Sequence, residues 1–310
     1  MQTTVIQTEE VMEPTLGHRA RFWGTTLMVW ALFYFVVGPF AFPLSSSTAL
    51  TVAAGPYGVI GSVAFIVAVA AAAAFSALAI GTTKPMDALR AVFLGIAIWS
   101  FREATIDDWL HARAPRPGAP TGAPYWPLLS DYVVILVAIL VSVRVVDGFV
   151  KKQKSAGALI AHEKSFARLG ALPARTSYGA YGVALAVVVV VLHIAMGDPI
   201  GKTMYKQTFF AVVVSFWLAL HAGRAIFADA EIGSFWSLPF VVGIIGVVVA
   251  GMLPALAIPS PYRALNTFAA WGVVRPLPIQ LVFVGLTTIL WMAPHLGHPA
   301  EHSRTEKKTT

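Results

Sequence analysis

The chain has 310 residues, of which 57% are hydrophobic and only 12% charged, with a net charge of +7 and a mean hydropathy of +0.73. A soluble domain carries about a quarter charged residues, so this composition excludes an ordinary water-soluble enzyme and points to a polytopic membrane protein. The chain has no cysteine, which excludes disulfides, thiolate metal sites and cysteine nucleophiles. Its Lys and Arg sit mainly in connecting segments, where they set topology, so the positive charge is not read as nucleic-acid binding.

Taken in order, residues 1–21 are acidic at Glu9, Glu10 and Glu13, then basic at Arg19 and Arg21. They read as a disordered cytoplasmic tail ahead of a retained first span, because the apolar run that follows is too long for the core of a cleaved signal. Apolar stretches then predict one all-α bundle over 22–293. It has about eight transmembrane helices, at 22–42, 57–80, 85–105, 125–146, 178–196, 206–227, 235–258 and 277–292. The second span carries the alanine run AVAAAAAF. Small side chains let helices approach closely, which makes this span a candidate for the middle of the bundle. Segment 147–176 is the basic cytoplasmic loop, and Leu159, Ile160 and Phe166 among its charges suggest a short amphipathic helix on the membrane surface near 155–168. A Pro-bounded loop at 259–276, with Trp271 and Arg275, holds a second candidate surface helix near 262–272. Residues 294–310 read as a polar, disordered cytoplasmic tail.

The third span is ambiguous, because its uninterrupted apolar run, Ala91 to Phe101, is short enough for a re-entrant segment. Charge decides it. With eight spans and the N-terminus inside, the inner segments hold Arg19, Arg21, Lys84, Arg90, Arg144, Lys151, Lys152, Lys154, Lys164, Arg168, Arg175, Arg224, Arg304, Lys307 and Lys308, fifteen of the 22 basic residues. Without the third span the split becomes eleven and eleven. The positive-inside rule therefore favours eight spans in the cell membrane with both termini cytoplasmic.

Lys84 and Arg102 stand 18 positions apart, about 27 Å along a helix, and snorkel to opposite interfaces. Asp87 and Arg90, spaced i,i+3, share one face and pair. Lys206 and Arg224 repeat the spacing, and Arg102-x4-Asp107 is matched by Arg224-x4-Asp229. Helices 3–4 and 6–7 are thus a weak candidate for an inverted-topology repeat of the kind found in transporters. Asp131 is expected to pair with Arg102 and fix helix register. His221 is expected to hydrogen-bond within the bundle or to help Arg224 reach water, with a proton relay as the functional alternative. The candidate intramembrane polar or transport residues are therefore Arg102, Asp107, Asp131, His221, Arg224 and Asp229.

Other constellations carry less. Glu103, Asp107 and His111 fall at i, i+4 and i+8 and read as a solvated acidic cap, so no metal site is expected. His193 and His221 lie at different depths, which argues against a shared haem, and no cofactor is expected. HExxH, GxSxG, P-loop and GxGxxG patterns are all missing, so no catalytic residue is assigned and the chain is not expected to be an enzyme. The expected function is a non-catalytic subunit, scaffold or assembly component of a membrane complex. The alternative is a transporter or channel for a small solute. Expected partners are the lipid bilayer, anionic headgroups at the 147–176 loop, and membrane proteins or a second copy of the chain, but no nucleic acid.

Overall fold

The computed structural model of the chain describes residues 15–41, 51–55, 58–81, 85–101, 106, 109, 123–154, 177–196, 205–227, 232–253 and 270–296. These residues are overwhelmingly helical, with no strand among them. The helices are α1 (Leu16–Ala31), α2 (Gly38–Ala41), α3 (Gly58–Ile80), α4 (Pro85–Trp99), α5 (Leu128–Lys154), α6 (Tyr178–Met196), α7 (Tyr205–Ile226), α8 (Leu238–Met252), α9 (Ala270–Val274) and α10 (Pro278–Leu296). Six stretches are long and apolar enough to cross a membrane: Leu16–Val37, Gly58–Ile80, Leu128–Lys152, Tyr178–Met196, Lys206–Ile226 and Phe235–Met252. The chain is therefore an all-α membrane protein. Two expected spans fall short of that test. Helix α4 has 15 residues, and the apolar part of α10 is Pro278–Met292.

Local chemistry accounts for boundaries that differ from expectation. Helix α1 begins at Leu16, inside the segment read as a tail, because Thr15 caps it with its hydroxyl accepting the His18 N–H at 3.3 Å. Pro39 has no N–H, and its ring would clash with the carbonyl four residues back. The preceding turn widens into a π-helix, Leu32–Val37, in which the Gly38 N–H reaches the Phe33 carbonyl. Helix α5 continues past 146 to Lys154, its polar end supported by a 2.7 Å pair between Asp147 and Lys151. The surface helices expected near 155–168 and 262–272 lie outside the described residues or almost so, with only α9 overlapping the second.

The centre of the bundle is held by α10, not by the alanine-rich α3. Every residue from Gly272 to Leu290 is buried, and α10 packs against α4, α5, α7 and α8. Phe283 meets Phe65 of α3 and Phe93 of α4 edge to face, at 6.1 and 5.7 Å. In α3 only one stripe (Phe65, Val69, Ala72, Ala73, Ala77) is buried, while Val59, Ile60, Val63, Val67 and Leu78 face outward. Those large aliphatic side chains suit lipid contact, so the alanine run brings one face of α3 close to its neighbours without drawing the helix inside.

Paired contacts fix the direction of each helix. On α4 and α10, Arg90 donates to the Leu290 carbonyl at 2.9 Å and Gln280 donates to the Ser100 carbonyl at 3.0 Å. Ten positions separate the two contacts on each helix, so α4 and α10 run antiparallel in one unbroken register. Helix α1 runs parallel to α4, because His18 meets Asp87 and Phe33 meets Trp99 at 5.1 Å. In α5 and α8, Trp126 lies over Gly251 and Tyr132 over Gly243, an antiparallel pair. A methyl group on Gly243 would overlap the Tyr132 ring, so glycine is what admits that aromatic side chain. Helices α6 and α7 are antiparallel too, with Gln207 donating to the Ala195 carbonyl at 2.7 Å at one end and Gly223 against the Ala180 carbonyl at the other. Phe101 against Phe209 at 5.0 Å places the start of α7 beside the end of α4.

Candidate functional site

These directions sort the polar residues into two ends of the bundle. At one end, Asp131 lies in the first turn of α5 and is fully buried. Its Oδ2 accepts the Val52 N–H at 3.0 Å, and its Oδ1 accepts the Ala53 and Ala54 N–H groups at 2.7 and 2.8 Å. Three successive amides make a concave anion nest, and the first turn of α5 adds the positive end of a helix dipole. Charge-assisted bonds of this type contribute roughly 1.5–3 kcal/mol each before desolvation. The carboxylate therefore ties the connection before α3 to the start of α5. Trp109 reinforces the same end, its Nε1 donating to the Pro124 carbonyl at 2.8 Å.

The same end carries a second buried polar group. Gln280, in the first turn of α10, accepts the Leu277 N–H at 3.1 Å through Oε1 while Nε2 donates to Ser100. The amide thus closes the bend leading into α10 and joins it to the end of α4. Arg275, only 2% exposed, sits in that bend. Helix α9 seats just before it, where a side chain at Gly272 would collide with the backbone of Leu192 and His193.

The opposite end carries side-chain pairs nearer the surface. Asp87 accepts from Arg90 across one turn, as the i,i+3 spacing predicts, and its Oδ2 meets His18 Nε2 at 2.9 Å. The side chains of His18, Asp87 and Arg90 retain 16–18% exposure. Because a carboxylate only accepts, His18 Nε2 carries the proton of that bond. Arg90 also reaches the Leu290 carbonyl through Nε, so α1, α4 and α10 meet there. Phe22, Trp23 and Trp291 cluster beside them, with the two indoles 6.4 Å apart.

Of the six residues singled out from the sequence, Arg102, Asp107 and Asp229 lie outside the described residues, as do Glu103 and His111. Asp131 bonds to the backbone amides of Val52, Ala53 and Ala54, and its expected pairing with Arg102 falls outside the described residues. His221 is exposed on the outside of α7, edge to face with Trp217 at 4.8 Å, and Arg224 is half-buried one turn further on. The two helix pairs expected to mirror one another also differ: α4 packs on α5, whereas α7 packs on α6 and α10 and makes little contact with α8.

No known protein-family model matches this chain, and no curated protein or solved structure does. The chemistry must therefore be read from the site itself. Among the described residues no three His, Asp or Glu side chains converge as a metal site would require. A cavity of about 140 Å³ between α6, α8 and α9 is lined by Leu185, Val189, Val242, Ile245, Gly246, Val249 and Val273, with no polar side chain. Several buried hydroxyls turn back onto their own helices, as Thr287 does to the Phe283 carbonyl at 2.7 Å and Thr288 to the Val284 carbonyl at 2.9 Å, while Ser76 of α3 donates across to the Ala88 carbonyl of α4 at 2.8 Å. Asp131 and Gln280 hold a connection and a helix end in place.

The sequence alone missed the amide nest, Gln280 and the burial of Arg275. Val52, Ala53 and Ala54 carry no polar side chain, so nothing in their identity marks them as ligands. Gln280 did leave a signal, being a lone amide at the start of an apolar run, where a polar residue at membrane depth implies a partner.

Proposed function

We propose that this chain is a non-catalytic component of a membrane complex: a subunit, scaffold or assembly component. The observation that carries this reading is the engagement of the buried polar side chains Asp131 and Gln280, and of the partly buried Arg90, with backbone groups, which makes them fasteners. The exposure of His221 on the outside of α7 supports it, since neither His221 nor Arg224 lines the described cavity. Solute transport is the weaker alternative, because a transport path needs water and the described cavity has aliphatic walls.

The topology that goes with this reading has eight crossings in the cell membrane, with both termini cytoplasmic. In its support, the two shorter helices α4 and α10 lie in the core, away from lipid, and are fastened at both ends. The helix directions alternate as eight crossings require. Arg19, Arg21, Arg90, Arg144, Lys151, Lys152 and Arg224 fall at one end, against Lys206 and Arg275 at the other. The first end is then the cytoplasmic one, and anionic headgroups attract the 147–176 loop by roughly 1 kcal/mol for each nearby Lys or Arg.

Purification in a gentle detergent followed by mass spectrometry tests the function. A stoichiometric membrane-protein partner or a second copy of the chain is the expected result, and a monodisperse monomer would overturn it. Because the chain has no native cysteine, single cysteines placed in 155–176 test topology. They should react with an impermeant maleimide only from the cytoplasmic side.

A further inference from the structure

We propose that the outward face of α7 at the Arg90 end, formed by Trp217, His221 and Arg224, binds the phosphate of an anionic phospholipid. The inference concerns a different surface from the fasteners and stands whether or not a protein partner exists. Helix α7 buries Ala211, Val212, Phe216, Ala219 and Leu220 against the bundle. Trp217, His221 and Arg224, at i, i+4 and i+7, form a stripe on another side of the helix. Trp217 is 43% exposed and its ring meets the His221 imidazole edge to face.

Depth gives the stripe its chemistry. Lys206 and Arg224 stand about 27 Å apart along the helix, close to the hydrocarbon thickness, so Arg224 lies at headgroup level. His221 sits about 4.5 Å deeper. An exposed imidazole at that depth has little water to bond to, and its polar N–H is costly in hydrocarbon. A lipid phosphodiester satisfies both groups, taking the planar guanidinium fork from Arg224 and an N–H from His221. Trp217, about 10.5 Å deeper than Arg224 along the helix, packs its ring against the His221 imidazole on the acyl-chain side. Among the described residues no carboxylate bonds to either group, so the stripe is net positive. It therefore favours an anionic headgroup over a zwitterionic one, whose ammonium would oppose Arg224.

The test uses the purified full-length chain in neutral detergent, with phosphatidylglycerol and phosphatidylcholine as probes. Native mass spectrometry of lipid retention and the rise in Tm on lipid addition are the two readouts. The wild-type chain should retain phosphatidylglycerol in preference to phosphatidylcholine. The variants R224Q and H221Q should each bind phosphatidylglycerol about tenfold more weakly, the loss of one charge-assisted bond. R224K, which keeps the charge but not the fork, should fall between. K206Q, at the other end of α7, should bind like wild type. Equal retention of both lipids by the wild-type chain would overturn the proposal, a result that needs no variant to fold. So would undiminished phosphatidylglycerol binding by the R224Q/H221Q double variant. Recovery of a protein carboxylate cross-linked at position 221 in place of lipid would reassign the stripe to a partner helix.

Discussion

The two ends of the bundle solve the same problem in opposite ways. At the Asp131 end, ionisable and amide side chains are fully buried and bonded to backbone: Asp131 to three amides, Gln280 to Leu277 and Ser100. At the Arg90 end, His18, Asp87 and Arg90 keep some exposure and are bonded mainly to one another, while Arg19, Arg21, Lys151 and Lys152 are exposed. The first end fixes irregular backbone, which is tolerated near a membrane only where its polar groups are satisfied by protein. The second end meets a charged surface, where side chains can exchange protein partners for headgroups. The difference implies rigidity at one end and sensitivity to salt and lipid at the other.

The largest test of that contrast is Asp131→Ala. It leaves three amides without their acceptor, at a cost of about 3 kcal/mol or more, and should lower Tm by roughly 6–12 °C. Asp131→Asn, with one carbonyl oxygen remaining, should lie between. Unchanged melting of the alanine variant would show that the connection before α3 does not depend on the carboxylate. Gln280→Leu comes next. It orphans the Leu277 N–H and the Ser100 carbonyl, for roughly 1–3 kcal/mol, read by the same melting experiment. At the other end, a double-mutant cycle on His18→Ala and Asp87→Asn should give a coupling of only about 0.5–1 kcal/mol, since both groups are partly solvated. Raising the salt to 1 M should shrink that coupling while leaving the Asp131→Ala loss intact. A coupling that ignores salt would erase the distinction between the ends. The smallest effect is expected for Lys151→Ala, whose side chain is 69% exposed where it meets Asp147. Its Tm should match wild type within error.

The helices were legible where composition alone decides them. The expected span 178–196 is α6 to the residue, 57–80 is α3 within one, and 206–227 is α7 within one at each end. Long apolar runs between polar punctuation leave little freedom. The Asp87–Arg90 pair was legible as well, because both partners are side chains on one helix at a fixed spacing. What escaped depends on groups without letters. The Asp131 nest is made of backbone amides from Val52 to Ala54, and amides look the same under every residue name. The central place of α10 was hidden for a related reason: a helix inside a bundle and a helix facing lipid are both apolar all round, so hydropathy cannot rank them. Short α4 was ambiguous because two-sided protein contact, which its charges and length reflect, reads in sequence as a weak membrane signal.

The central position of α10 has a consequence for how the protein is made. Synthesis runs from α1 onward, so the helix that fills the core emerges after every other described helix. Until it arrives, Arg90 Nε lacks its acceptor, the Ser100 carbonyl lacks its donor, and Phe65 and Phe93 have no Phe283 between them. A product truncated before residue 278 would lack α10 and expose the interior that this helix fills.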